Sequence, residues 1–292
     1  ENALTGATAE SNARVIDYAY GSNRPISPKT TLIYLMAVII GVIIPFLILY
    51  IMELLNTSVR SRREVEDVIN APFLGEIPRF DGKAEYDIVV KEESRDVISE
   101  AFRILRTNIS FMSIDKNVQT IMITSSIPHS GKTFVSTNLA VTLALSGKKV
   151  LLMDFDLRRR TLSKQLGHRN DRRGLTSYLT GKIENLNDAI SHTSINENLD
   201  MMYAGPQPPN PSEMLMSQRV DALIEELRKQ YDYIIIDSVP AMAVADAMII
   251  DRFVDLAIYV IRQGNLDRRQ LPDIEQLREE KKFKNMSVIL NS

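Results

Sequence analysis

The chain of 292 residues contains no cysteine, so no disulfide framework, thiolate nucleophile or thiolate metal site is open to it, and the absence fits any cellular compartment. An excess of charge of one sign is missing too. Against 37 acidic residues stand 35 basic ones, a net charge of −2, which gives no case for nucleic-acid binding. No internal repeat or low-complexity tract shows. One stretch lacks charge altogether: the residues from Leu32 to Met52, LIYLMAVIIGVIIPFLILYIM. At about 1.5 Å per residue that run spans the roughly 30 Å hydrocarbon core of a bilayer. It predicts a transmembrane helix over residues 31–55, the competing expectation being a helix buried in a soluble core. Pro45 is tolerable there, because neighbouring helices can satisfy the carbonyl it frees. The run is too long for a signal peptide and follows some thirty polar residues.

Orientation follows weakly from charge, with Arg60, Arg62 and Arg63 beyond one end of the run and Arg24 and Lys29 before the other. Chemistry decides it, through the segment TSSIPHSGKT at 124–133. This lies between an apolar strand-like run, VQTIMI, and a helix-like one, FVSTNLAVTLALSG. In a phosphate-binding loop the backbone N–H groups and the following helix N-terminus cradle phosphate oxygens. Lys132 would then supply a point charge and Thr133 a hydroxyl for Mg²⁺, with Ser126, Pro128, His129, Ser130, Gly131 and Phe134 completing the candidate nucleotide contacts. The G-x-x-x-x-G-K-[ST] pattern fails at its first position, where Ser126 stands. Nucleoside triphosphates and free Mg²⁺ are cytoplasmic, so this part belongs inside the cell membrane and residues 1–30 outside.

Gly147 reads as the stop of the helix after the loop. KKVLLMDFDLRRR then gives a buried strand ending near Asp154 and Asp156, and YDYIIIDSVP a second one ending in Asp237, placed as an acid that binds Mg²⁺ directly or through water. Each Asp alone could simply end a strand; together, beside the loop, they point to a site. The run Arg158–Arg160 reads as a phosphate or acidic-lipid contact or, more simply, as a solvated helix start. EESRDVISEAFRILRTNISFM predicts an amphipathic helix with Val97, Ala101, Ile104, Leu105 and Ile109 on its buried side, and residues 56–90 predict a juxtamembrane linker with a short helix near 62–69. After residue 91 strands and helices alternate. The predicted class is α/β: a P-loop NTPase with a mainly parallel, doubly wound sheet, preceded by the transmembrane helix, its ligands at the carboxyl ends of the strands.

The segments SSIPHSGKT, LLMDFDLRR, GLTSYLTGK, LDMMYAGPQPPNPSE and YDYIIIDSVP followed by ADAM resemble the bacterial tyrosine kinases that are fused to, or paired with, polysaccharide chain-length regulators. The likeness runs through most of residues 92–292, and SPK with Gly41 and Pro45 is similar to the proline-rich segment and second membrane helix of Wzz-like co-polymerases. It implies an ATP- and Mg²⁺-dependent, autophosphorylating protein-tyrosine kinase regulating polysaccharide polymerisation and export, with residues 91–292 as a cytoplasmic kinase domain and 1–30 as the end of an extracytoplasmic regulator region. By the same resemblance Asp154 is the base that takes the tyrosine proton and Asp156 joins Asp237 and Thr133 in the metal's shell, although the two roles could be exchanged. Arg262 and Asn291 fall near the adenine. Glu100, Arg103 and Arg106 form an E-x-x-R-x-x-R signature for ring assembly, against the plainer reading of a solvated charged face. Implied partners are further copies of the chain, the membrane, the polysaccharide assembly machinery and a cognate tyrosine phosphatase.

The chain departs from this family at His129–Ser130, where glycine and a small or acidic residue are common, and at SVP after Asp237. The family's C-terminal tyrosine cluster has no counterpart either: the ten tyrosines are scattered and none follows Tyr259, so the chain reads as an internal piece of a longer protein. Two rival classes are a membrane-tethered partitioning or positioning ATPase, whose signature lysine would sit at Ile127, and a non-catalytic regulator gated by nucleotide.

Overall fold

The computed structural model describes residue 21 and residues 27–80, 82, 88–115, 117–168 and 172–292. Most of the expected extracytoplasmic region, including Arg24, lies outside them. The chain divides into two units, Glu1–Asn56 and Thr57–Ser292.

In the first unit the described part is chiefly helix α1 (Thr30–Leu55), which carries Pro45 internally and buries none of its residues. It is long and apolar enough to cross a membrane. A core helix of a soluble protein would be covered on at least one face, and α1 is covered on none.

The second unit is built on an eight-stranded sheet: β1 (Phe73–Ile77), β2 (Thr120–Ser125), β3 (Val150–Asp154), β4 (Ser191–His192), β5 (Leu199–Met202), β6 (Tyr233–Asp237), β7 (Leu256–Arg262) and β8 (Met286–Asn291). Their spatial order is β1-β8-β7-β2-β6-β3-β5-β4, and every pairing is parallel except that of β4 with β5. Strands buried on both faces need apolar side chains in both directions, hence the unbroken runs TIMI, VLLM and YIII. Alternate residues feed two cores: Ile121 and Ile123 face one, Met122 the other.

The first core is covered by α3 (Val97–Asp115) and α4 (Lys132–Leu145), numbered after the short α2 (Arg62–Glu66). On α3 the buried apolar residues are Ile98, Phe102, Leu105 and Ile109, spaced i, i+4, i+7, i+11 as one helical stripe, whereas Val97, Ile104 and Phe111 are exposed. The inward face expected from the sequence therefore turns: Leu105 and Ile109 hold, and Val97 and Ile104 move to solvent. Asp96 fixes the helix start by accepting the N–H of Ser99 at 2.7 Å. At the end of α4, Gly147 takes the left-handed φ of +79° expected of a helix stop.

The linker expected over 56–90 is corrected for much of its length. Val59, Val65, Ile69 and Ala71 join the core, and β1 is a full member of the sheet, with Ile77 opposite Asn291. Residues 57–60 are bound to the loop after β7: Val59 N–H donates to Leu266 O, Gly264 N–H to Val59 O and Arg268 N–H to Thr57 O, each at 2.8 Å.

Candidate active site

The strands β2, β3 and β6 lie side by side and end together, with Ile123 paired to Asp237 and Asp154 paired to Asp237. The loop between β2 and α4 rises over these ends. It reverses through two left-handed residues, His129 at φ +62° and Gly131 at φ +87°. A non-glycine residue there costs roughly 1–2 kcal/mol, and histidine is among the types that tolerate it best. Gly131 is fixed more tightly, since a Cβ would lie 2.1 Å from Asn291 Nδ2 and 3.6 Å from an Arg262 guanidinium nitrogen. Ser125 and Ser130 each donate a hydroxyl to Ile127 O at 2.8 Å, so the loop ties itself.

Pro128, His129, Gly131, Lys132, Thr133 and Phe134 wall a cleft of about 220 Å³ together with Asp156, Arg159, Thr161, Gln165, Ser238 and Pro240. Larger hollows of about 820 Å³, beside α3 and β1, and about 620 Å³, around His192 and Tyr231, lie elsewhere. Neither is lined by the loop residues or by Asp156. Thr133 Oγ1 donates to Asp237 Oδ2 at 2.7 Å, while Asp237 Oδ1 is buried without a hydrogen-bond partner. Burial pushes the Asp237 carboxyl up to about 6, opposed by the Lys132 ammonium and the Thr133 hydroxyl. Lys132 is itself shifted down by burial, against the pull of Asp237 and Asp156 and with the push of Arg159.

The two acids after β3 separate. Asp154 is fully buried and does not line the cleft. Its Oδ2 accepts from Ser163 N–H at 2.9 Å and Ser163 Oγ at 2.6 Å, and its Oδ1 from the Asp156 N–H at 3.2 Å. Burial first, and the neighbouring Asp237 second, push it up to about 7. Asp156 walls the cleft and accepts the Arg159 N–H at 2.8 Å.

Several expected nucleotide contacts are occupied inside the fold. Asn291, expected near the adenine, is buried and donates Nδ2 to Ser130 O at 2.9 Å, propping the loop from beneath. Ser126 is buried against the Tyr259 hydroxyl at 3.0 Å. Arg262 stands by Gly131 without lining the cleft. On α3, Arg103 folds back onto its own chain, donating to the carbonyls of Lys91, Glu92 and Ser94 at 3.3, 3.1 and 2.6 Å and pairing with Glu100 at 3.1 Å. Glu100 is exposed and Arg106 half-buried. Sequence reasoning did not find Ser163, Thr161, Gln165 or Ser238; the last was signalled by its place directly after Asp237.

Among the described residues no three His, Cys, Asp or Glu side chains gather to hold a metal. That suits Mg²⁺, which takes one or two carboxylates and completes its octahedron with water and phosphate oxygens. The partnerless Asp237 Oδ1 beside the Thr133 hydroxyl fits such an ion.

A family profile described as an AAA domain matches residues 118–261, and a G-rich domain profile, GNVR, matches residues 1–54. The tyrosine-protein kinase YwqD of Bacillus subtilis is 36% identical over 209 residues, covering 72% of this chain and 87% of that protein. The chain belongs to the bacterial tyrosine-protein kinase family. Another member, the tyrosine-protein kinase etk of Escherichia coli K12, is 32% identical over 283 residues, 90% of this chain and 39% of etk. The kinase domain of the Escherichia coli enzyme ETK superposes with a TM-score of 0.72 at 32% identity, over 80% of this chain and 94% of that domain. The P-loop α/β fold expected from the sequence is thus that of the family. The chain spans little more than a third of the length of several long curated relatives, 37% and 36% in two of them.

Proposed function

We propose that the chain carries the kinase unit of a membrane-anchored protein-tyrosine kinase that transfers a phosphoryl group from MgATP to tyrosine, including tyrosines of its own kind. The observation that carries this reading is the meeting of Lys132, Thr133 and Asp156 around one cleft, with the partnerless Asp237 oxygen directly beneath Thr133. The backbone at Gly131 to Thr133 and the α4 N-terminus bind the phosphates. Lys132 faces their charge, and Thr133 with Asp237 holds Mg²⁺, which when bound neutralises charge gathering on the transferring oxygens.

A tyrosine hydroxyl, with a pKa near 10, is a poor nucleophile at neutral pH and needs a base within hydrogen-bond reach. Asp156, which walls the cleft, is assigned that contact in place of Asp154. Asp154 acts through Asp156, whose N–H it accepts while Ser163 locks its other oxygen. Asn291 holds the loop, Arg262 stands beside Gly131, and neither makes a direct adenine contact in this reading.

By the resemblance of its membrane segment, α1 spans the bacterial inner membrane with the α/β unit on the cytoplasmic side, following a Wzz-like region. The kinase would assemble as a ring through the outer face of α3, with Glu100 and Arg106 at the contact and Arg103 shaping the segment before it. It would answer to a tyrosine phosphatase and to the polysaccharide assembly machinery, as the phosphorylated form gains nearly two negative charges per tyrosine and its copies repel.

Incubation with MgATP and a tyrosine peptide tests the reading. Phosphotyrosine should form, and Lys132→Met, still folded by circular dichroism, should form none. Wild-type turnover in that variant would refute the site.

A further inference from the structure

The run Arg158-Arg159-Arg160 follows Asp156, and its three side chains go to three different places. Arg158 is bound to the buried Asp246 at 2.8 Å, with Ser212 bridging the pair. Arg160 takes a left-handed backbone and donates to Gly205 O at 3.1 Å. Arg159 lies between these anchored neighbours and turns into the cleft, where it shares the wall with Lys132 and Asp156. Its backbone is pinned by the N–H bond to Asp156 Oδ1. Its guanidinium has no hydrogen bond or ion pair among the described residues, not even with Asp156.

Two cations therefore line one cleft, and Arg159 adds to the burial that disfavours the charge on Lys132, against the stronger pull of Asp237 and Asp156. The cleft offers them one carboxylate, Asp156, which pairs with no guanidinium nitrogen of Arg159, and like charges held close are unfavourable, the more so where water is partly excluded. A compact anion with several oxygens removes that cost, and a guanidinium meets phosphate oxygens through two parallel donors. Lys132 follows directly on the phosphate loop, whereas Arg159 comes from the segment after β3, three residues beyond the acid assigned to the acceptor hydroxyl.

We propose that Arg159, from the segment after β3, holds the terminal phosphoryl group of a bound nucleoside triphosphate. The inference rests on the nucleotide-binding part of the function proposed above. It requires a preference for triphosphate over diphosphate that Arg159 supplies and that Lys132, reaching the inner phosphates as well, does not.

Calorimetric titration of the whole chain, with Mg²⁺ and either ADP or a non-hydrolysable ATP analogue, tests this without any turnover. Arg159→Gln should weaken the triphosphate analogue by about tenfold or more and leave ADP within about twofold, a charge-assisted contact being the stronger kind of hydrogen bond. Arg159→Lys should recover part of the loss as a point charge, and Lys132→Met should weaken both ligands. Because the Arg159 side chain makes no hydrogen bond or ion pair among the described residues and repels Lys132, the melting temperature without nucleotide should not fall in Arg159→Gln. Equal weakening of both ligands in Arg159→Gln, or none, overturns the proposal. So does unchanged triphosphate affinity with a raised KM for the tyrosine peptide, which would make Arg159 an acceptor contact. If the wild type binds both nucleotides with Arg159 discriminating but forms no phosphotyrosine, the kinase reading fails and this inference stands.

Discussion

The floor of the cleft and its rim come from the same strand ends and differ in their physics. Asp154 and Asp237, the last residues of β3 and β6, are sealed in the floor, and burial pushes both carboxyls up, to about 7 and about 6. Asp156 and Arg159, two and five residues beyond Asp154, wall the open side. Asp154 is locked by Ser163 and does not reach the cleft, whereas Asp156, itself only 5% exposed, reaches the cleft wall and accepts the Arg159 N–H. The two carboxylates of D-x-D therefore meet different surroundings, because the strand ends between them.

The largest effect expected from breaking this arrangement is at Gly131. Gly131→Ala puts a Cβ 2.1 Å from the bonded amide of Asn291 at a left-handed φ, so the loop must leave its conformation. Nucleotide binding, read by calorimetry, should fall about a hundredfold or more, as expected when phosphate-binding N–H groups lose their convergence. Gly147→Ala shares the positive φ but meets nothing within 4 Å. It should cost only about 1–2 kcal/mol of stability and leave binding unchanged.

The floor should also make itself felt through pH. Asp154 and Asp237 have folded-state pKa values above those of an unfolded aspartate, so the folded state binds their protons more tightly than the unfolded state does. Stability of the nucleotide-free protein should then fall as pH rises from about 4 towards 7, the window between unfolded and folded values. Asp154→Asn should flatten this slope and raise the melting temperature at pH 8. MgADP should stabilise more at pH 8 than at pH 5, where the floor is protonated. A melting temperature of the nucleotide-free protein that climbs across this window would show that the floor is not desolvated.

The smallest effect separates α3 from the site. Arg103→Ala frees three backbone carbonyls and should cost about 1–2 kcal/mol by chemical denaturation. Glu100→Ala, which removes one side of an exposed pair, should cost less than about 0.5 kcal/mol. Equal costs would return Arg103 to a solvated face.

The phosphate loop, Asp237 and the strands beneath them were legible because each is local: an apolar run, a turn with glycine, and a charged residue where the run stops. The family resemblance rested on those same segments. Long-range pairing was not legible. β1 is five residues with a glycine in its middle, and only its register with β8, more than 200 residues away, makes it a strand. The inward face of α3 was misjudged at Val97 and Ile104, since Phe102 and Ile98 define a neighbouring stripe that periodicity alone does not prefer. Asn291 was placed at the site, but the use of its amide to hold Ser130 depends on how closely β8 approaches the loop. The exchange of roles proposed for Asp154 and Asp156 hangs on Ser163, nine residues beyond Asp154 and without any motif of its own.

Asp156→Asn and Asp154→Asn, compared in phosphoryl transfer to a tyrosine peptide at saturating MgATP, test the division between floor and rim most directly. The account predicts that Asp156→Asn still binds MgATP but loses about a hundredfold or more in kcat, as expected for a removed general base. Asp154→Asn should lose less. Transfer at the wild-type rate by Asp156→Asn, with Asp154→Asn inactive though folded, would contradict it and return the base to the floor.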